Sequence, residues 1–220
     1  QRQMCIRDRF GFVDEGMCDS QHGGAVWHQM RLEKSNIKRD YKSEVLDCIV
    51  TVVIAAVLAF LIGHFVILNC NVPTGSMLET IQLDDNIIGS RLTYKFSDPE
   101  RGDIAIFRWP DDENEIYIKR IIGLPGDKVE IKDGKVYING SDTPLKEDYL
   151  SEGMYTDSGS REVYDVPEDC YLMLGDNRTN SADSRFWTNT YVKREKILAK
   201  AEFIYYPFSQ IKWLGSGAEY

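Results

Sequence analysis

Lys128-Val-Glu-Ile-Lys-Asp-Gly-Lys-Val-Tyr-Ile-Asn139 decides the fold. Val129 and Ile131 alternate with charged residues, Val136 and Ile138 alternate in their turn, and Asp133-Gly134 stands between the two runs. A period of two sends one set of side chains to a core and the other to water. An Asp-Gly pair supplies the positive φ angles of a two-residue hairpin turn. A β-hairpin is therefore predicted over 128–139. Outward from it the same texture recurs. Asp103-Ile-Ala-Ile-Phe107 alternates, and Cys170 to Leu174 and Ala201 to Tyr206 are apolar runs of strand length. Pro125-Gly126, Asn139-Gly140 and Pro144 punctuate the chain as turns. No helical period is sustained over 15 residues beyond residue 80, so residues 69–220 read as a mostly antiparallel β domain.

Before that domain lies an uninterrupted apolar run, Cys48 to Leu68, of 21 residues. At about 1.5 Å per residue it crosses a hydrocarbon layer of roughly 30 Å. It exceeds the length of a signal-peptide core, and no small-residue cleavage site follows, so 45–68 is expected to be a retained transmembrane helix. Arg31, Lys34, Lys38, Arg39 and Lys42 crowd its N-terminal flank, whereas Asn69-Cys-Asn-Val-Pro73 carries no charge. The positive-inside rule places 1–44 in the cytoplasm as a tail and 69–220 outside. Within the tail, residues 1–30 lack periodicity and read as foreign to the functional protein.

Of the 220 residues, 43% are hydrophobic and 28% charged, as in an ordinary folded chain, and the net charge is −9. Residues 69–220 carry 18 basic and 27 acidic side chains, which argues against a nucleic-acid partner. The cysteines at 5, 18, 48, 70 and 170 have no zinc-site spacing, and only Cys70 and Cys170 could bridge outside. No cofactor or metal is expected.

Three segments could carry chemistry. In Pro73-Thr-Gly-Ser-Met77, Pro73 restrains the turn and Gly75 frees the backbone before Ser76, as a displayed nucleophile requires. All three histidines (22, 28 and 64) precede Ser76, within the tail and the apolar run, so no Ser-His-Asp triad can assemble outside. The alternative base is Lys119, set among four isoleucines and Tyr117 in Glu115-Ile-Tyr-Ile-Lys-Arg-Ile-Ile122. Burial disfavours the ammonium form and could leave an amine able to take the serine proton. Gly175-Asp-Asn-Arg-Thr-Asn-Ser-Ala-Asp-Ser-Arg185 offers hydroxyls and Asp–Arg pairs able to hold such a base. It is a poor calcium loop, because Arg178 stands where a ligand is needed. Taken singly, Ser76 also fits a turn serine and Lys119 a solvated strand residue; the residues alone leave both open.

In this order, behind an apolar run, the three segments resemble the bacterial type I signal peptidases, membrane-anchored Ser/Lys proteases that remove signal peptides from exported preproteins. The resemblance spans about residues 45–210 and includes Arg101-Gly-Asp103 and Tyr117-Ile-Lys-Arg-Ile-Ile-Gly-Leu-Pro-Gly-Asp127. It implies that Ser76 is the nucleophile and Lys119 the general base, and that the Ser76 N–H and Thr74 hydroxyl form the oxyanion hole. Ser181 would bond the Lys119 amine, with Asp183 and Arg185 paired to brace the loop. Val72, Met77, Ile81, Tyr117 and Ile118 would line pockets for small side chains before the cleavage site. A smaller β region would be inserted near 127–170. Implied partners are preprotein signal peptides, membrane lipids and the protein-export machinery. Glu79 stands where the family usually has proline and Thr188 where glycine is common. A single anchor is more like the Gram-positive members.

Eight residues from Leu68 to Ser76 span at most about 28 Å, so the nucleophile stays near the outer membrane face, where a signal peptide's scissile bond also lies. An extended substrate is expected to pair with the strand bearing Lys119. A related peptidase with one narrow client, or a tethered β domain that only binds extended peptides, would share many of these features.

Overall fold

Asp133 and Gly134 adopt φ of 53° and 75°, the double positive turn that the hairpin reading requires. The computed structural model describes residues 41–215. The readings made for the tail before Tyr41, including Arg31, Lys34, Lys38 and Arg39 of its basic flank and the exclusion of 1–30, lie outside these residues. Chain contacts divide the described residues after Ile54, and those of the first unit are helical throughout.

Helix α1 spans Tyr41–Leu61 and buries none of its residues. Together with a π-type turn, Ile62–Val66, it is long and apolar enough to cross a membrane. The helix does not run to Leu68 as expected. Ile67 and Leu68 open strand β1 (Ile67–Asn71), paired with Ser90 and Gly89, and Leu68 is buried in the domain core. Hydropathy scores a residue facing lipid and one facing a protein core alike, so the run overshoots the helix.

The strands that follow are β2 (Asn86–Ser90), β3 (Ile104–Arg108), β4 (Ile116–Gly123), β5 (Lys128–Lys132), β6 (Lys135–Ile138), β7 (Val163–Asp165), β8 (Cys170–Leu174), β9 (Val192–Lys193), β10 (Ile197–Tyr206) and β11 (Lys212–Trp213), with a one-turn helix α2 at Thr93–Phe96. The main sheet is ordered β1-β2-β10-β3-β4-β8-β9, with β11 added to β10, and its pairings are antiparallel. Strands β6-β5-β7 form a second, three-stranded antiparallel sheet.

The main sheet has a core on each face. Alternate residues of β3 feed both: Ile104 and Ile106 join Met77, Ile81 and Ile87 in one, and Ala105 and Phe107 join Ile121, Met173 and Trp187 in the other. The apparent alternation of 103–107 thus ends with both faces buried, since Ala105 fills a core position where a small residue packs. A third cluster, including Val129, Ile131, Val136, Ile138 and Tyr164, belongs with the smaller sheet. Cys70 and Cys170 are free thiols.

Candidate active site

Ser76 sits in a single 3₁₀ turn, Gly75–Met77, entered from an extended Thr74. Met77 anchors the turn from below at 1% exposure. Lys119 lies at the middle of β4, opposite Ala105 of β3, and is 4% exposed. Its Nζ reaches 2.6 Å from Ser76 Oγ and donates to the Ile118 carbonyl at 3.1 Å. The Tyr117 ring centroid is 5.4 Å from the same nitrogen. Burial lowers the Lys119 pKa from 10.5 to about 8, although Asp183 and Asp176 pull it upward. About a tenth is then uncharged at pH 7, and the neutral amine can accept the serine O–H proton.

The polar loop after β8 holds this pair in place. Asn177 donates through its side-chain amide to the Gly75 carbonyl (3.0 Å) and through its backbone N–H to the Ser76 carbonyl (3.1 Å). Gly175 permits the close approach. A Cβ there would fall 2.5 Å from the Ser76 carbonyl oxygen and 2.1 Å from Ser181 Oγ. Asp183 and Arg185, both fully buried, form the expected pair: Nε to Oδ1 at 2.8 Å and Nη2 to Oδ2 at 2.8 Å. Asp183 Oδ2 also accepts from the Gly175 N–H at 2.9 Å, and Arg185 donates to the Arg178 and Asp157 carbonyls, so the loop is tied to itself and to its neighbours.

Two of the expected residues stand differently. Ser181 is buried beside the turn, but its Oγ has no hydrogen-bond partner, and the bond to the Lys119 amine is not made. The amine is already engaged by Ser76 Oγ and the Ile118 carbonyl. Ile81 is fully buried in the core that underlies the turn and does not line the cleft. Its backbone N–H bonds back to Met77, which turns it inward. Thr74 is exposed at the cleft and its side chain makes no capping bond.

The cleft itself has a volume of about 770 Å³. Residues from Leu68 to Met77, including Val72, form one wall; Glu115 to Lys119, including Tyr117 and Ile118, form the other. Two strand edges are unpaired here among the described residues. β1 pairs only with β2, and β4 pairs with β8 only from Arg120 onward, leaving Ile116–Lys119 bonded to β3 alone.

Several supporting residues escaped the sequence reading. Arg120 binds Asp176 in two-point fashion at 2.9 and 2.7 Å, and Thr80 donates to the same carboxylate at 2.5 Å. Arg178 pairs with Glu147 and donates to Thr156 at 2.7 Å. Asp176, Asn177 and Arg178 lie within the loop singled out for its polarity, which was the available signal. Glu147, 31 residues earlier, had none. Glu79 has φ 79°, a left-handed conformation closed to the proline expected at that place.

A serine hydroxyl against a buried amine, in a cleft flanked by open strand edges, is equipped for hydrolysis of an extended peptide through a serine nucleophile. Comparison with known proteins places it more narrowly. The family model "Signal peptidase, peptidase S26" matches residues 45–206. A probable signal peptidase I-2 from Synechocystis is 40% identical over 174 residues, covering 77% of each chain. Signal peptidase I from Leptolyngbya laminosa is 38% identical over 186 residues, 81% of this chain and 88% of that one. Signal peptidase I from Bacillus amyloliquefaciens is 37% identical over 190 residues, 83% and 98%. The chain belongs to the peptidase S26 family of signal peptidases.

Proposed function

We infer that this chain is a membrane-anchored serine endopeptidase that removes signal peptides from preproteins, cleaving after small residues by a Ser/Lys mechanism. The observation that carries this reading is the 2.6 Å approach of Lys119 Nζ to Ser76 Oγ, with burial keeping the amine pKa at about 8.

An extended substrate enters the cleft between the open edges of β1 and β4 and bonds through its backbone to Ile116–Ile118. Val72, Met77, Tyr117 and Ile118 shape shallow pockets that admit only small side chains. Ser76 Oγ attacks the scissile carbonyl while its proton passes to Lys119 Nζ, forming a tetrahedral intermediate. The Ser76 N–H and Thr74 hydroxyl stabilise its oxyanion. Collapse breaks the C–N bond, and Lys119 returns the proton to the leaving amine. Water, deprotonated by the same amine, then releases the acyl group. Asp183, Arg185 and Asn177 hold the loop and turn in register, and Ser181 supplies a hydroxyl to the amine once Oγ has moved to the substrate.

In this reading the N-terminus is cytoplasmic, the helix spans the bacterial cell membrane once, and residues 69–220 work outside. Residues 127–170, with the whole of the smaller sheet, form the inserted subdomain. Lipids and the export machinery are its neighbours. The test is a panel of unrelated preproteins presented to the full chain, alongside Ser76→Ala. Broad cleavage after small residues, lost with Ser76→Ala, supports the reading. Cleavage of one precursor alone would indicate a narrow processing enzyme, and none at all a peptide-binding domain.

A further inference from the structure

We propose that a second pocket, of about 370 Å³, holds the phosphate group of an anionic membrane lipid. Three cationic side chains line it: Arg91 after β2, Lys95 in α2 and Arg194 ahead of β10. The acidic group facing them is Asp98, 89% exposed and 3.4 Å from Arg194 Nε. Asp103 lies behind Tyr94, accepting from its hydroxyl at 3.1 Å and pairing with Lys200. The pocket keeps an excess of positive charge. Arg194 is fixed by bonds to the Tyr94 and Ser97 carbonyls, which presents its guanidinium in one orientation. Arg91 Nε is buried with no hydrogen-bond partner. A guanidinium N–H removed from water is unfavourable until an acceptor arrives, and phosphate oxygens are the acceptors that several convergent cations suit best.

A phosphate could reach such a site free or attached to a lipid, and two observations select the lipid. Phe65, Ile197 and Leu198 give the pocket an apolar wall, useless to a free ion and suited to the first carbons of an acyl chain. His64 and Phe65 also line it, and they close the segment Tyr41–Val66 that is fit to span a bilayer. The pocket therefore opens where headgroups begin. That step rests on the membrane-spanning reading of the helix given above. The Arg91 N–H bonds to the Val66 carbonyl at 2.8 Å, and Arg91 lines the substrate cleft as well. A lipid bound here would hold the end of the cleft at the membrane surface.

The experiment titrates the full chain, in an uncharged detergent, with short-chain phosphatidylglycerol and separately with inorganic phosphate. Saturable lipid binding is expected, with phosphate at least about tenfold weaker. Lys95→Gln should weaken the lipid severalfold, and Arg91→Gln with Lys95→Gln by about tenfold or more. Lys95 is exposed, so its single variant keeps the test decisive if the double variant unfolds. Lipid affinity unchanged in Lys95→Gln and in a folded double variant overturns the proposal, as does phosphate binding as tightly as the lipid. Preprotein cleavage is assayed in the same preparation. Lipid binding with the expected losses but no cleavage would sink the peptidase reading and leave the pocket standing.

Discussion

Lys119 and Arg120 are consecutive in β4 and serve opposite sides of it. The amine of one meets Ser76 Oγ at 2.6 Å, and the guanidinium of the other grips Asp176 at 2.9 and 2.7 Å. Strand geometry sends neighbouring side chains to opposite faces, so one short segment both presents the amine to Ser76 and fastens the strand to the loop that carries Asp183.

Replacing Lys119 by Met removes the base and keeps a similar apolar stem. Cleavage of a preprotein should fall by about 10²–10⁴-fold or more, while the thermal midpoint holds or rises because a buried polar group is gone. Persistent cleavage by a folded Lys119→Met chain would defeat the mechanism.

Cleavage should depend on pH through the same amine. Only the neutral form accepts the serine proton, so kcat/KM should climb about tenfold per unit below about 8 and level off above it. Stability follows the same direction. The folded pKa of about 8 lies below the ordinary 10.5, so between these values the unfolded chain binds more protons, and stability rises with pH across that window. The full swing is about 3 kcal/mol. Denaturant unfolding at intervals from pH 7 to 11 (roughly, the span set by the linkage relation) measures it, and Lys119→Met should flatten that component.

Arg120→Met takes the cationic partner from the Asp176 carboxylate, whose side chain is fully shielded from solvent, and leaves it the Thr80 hydroxyl. Loss of one partner from a buried pair costs about 3–5 kcal/mol. Urea unfolding should show it, and adding Asp176→Leu should recover much of the loss. A single variant as stable as the parent would mean the pair contributes little.

Gly175→Ala should reduce cleavage by at least about 100-fold, because its Cβ must displace the Ser76 carbonyl, a backbone atom with little room to yield. Ser181→Ala, in contrast, removes a buried hydroxyl without a partner and should leave stability unchanged or raise it by about 1 kcal/mol. Its kcat should nevertheless fall if the hydroxyl serves the amine during turnover. Side-by-side melting and single-turnover assays separate the two effects.

How much of this was legible beforehand varies by element. The 128–139 hairpin and the strand from Cys170 to Leu174 stand where alternation and apolar run length put them, because period and turn chemistry are local properties. β1, β2, β7, β9 and β11 carried too short or too mixed a pattern to read. The Ser76, Lys119 and 175–185 segments were recognisable only as an ordered set, through their resemblance to a known family, since Ser76 taken singly also fits a turn serine and Lys119 a solvated strand residue.

The amino-acid order alone determined which chemical groups were available: one serine in a Pro-Gly turn, one lysine among isoleucines, a loop dense in Asp, Asn and Arg, and an apolar segment long enough for a bilayer. Tertiary structure decided which of them meet. It brought Ser76 and Lys119 together across 43 residues, set Asn177 against the Gly75 and Ser76 carbonyls, left Ser181 Oγ unpartnered and turned Ile81 into the core. Proximity between distant residues depends on strand pairing and on which face of each strand is buried, and neither is encoded in any single stretch of chain.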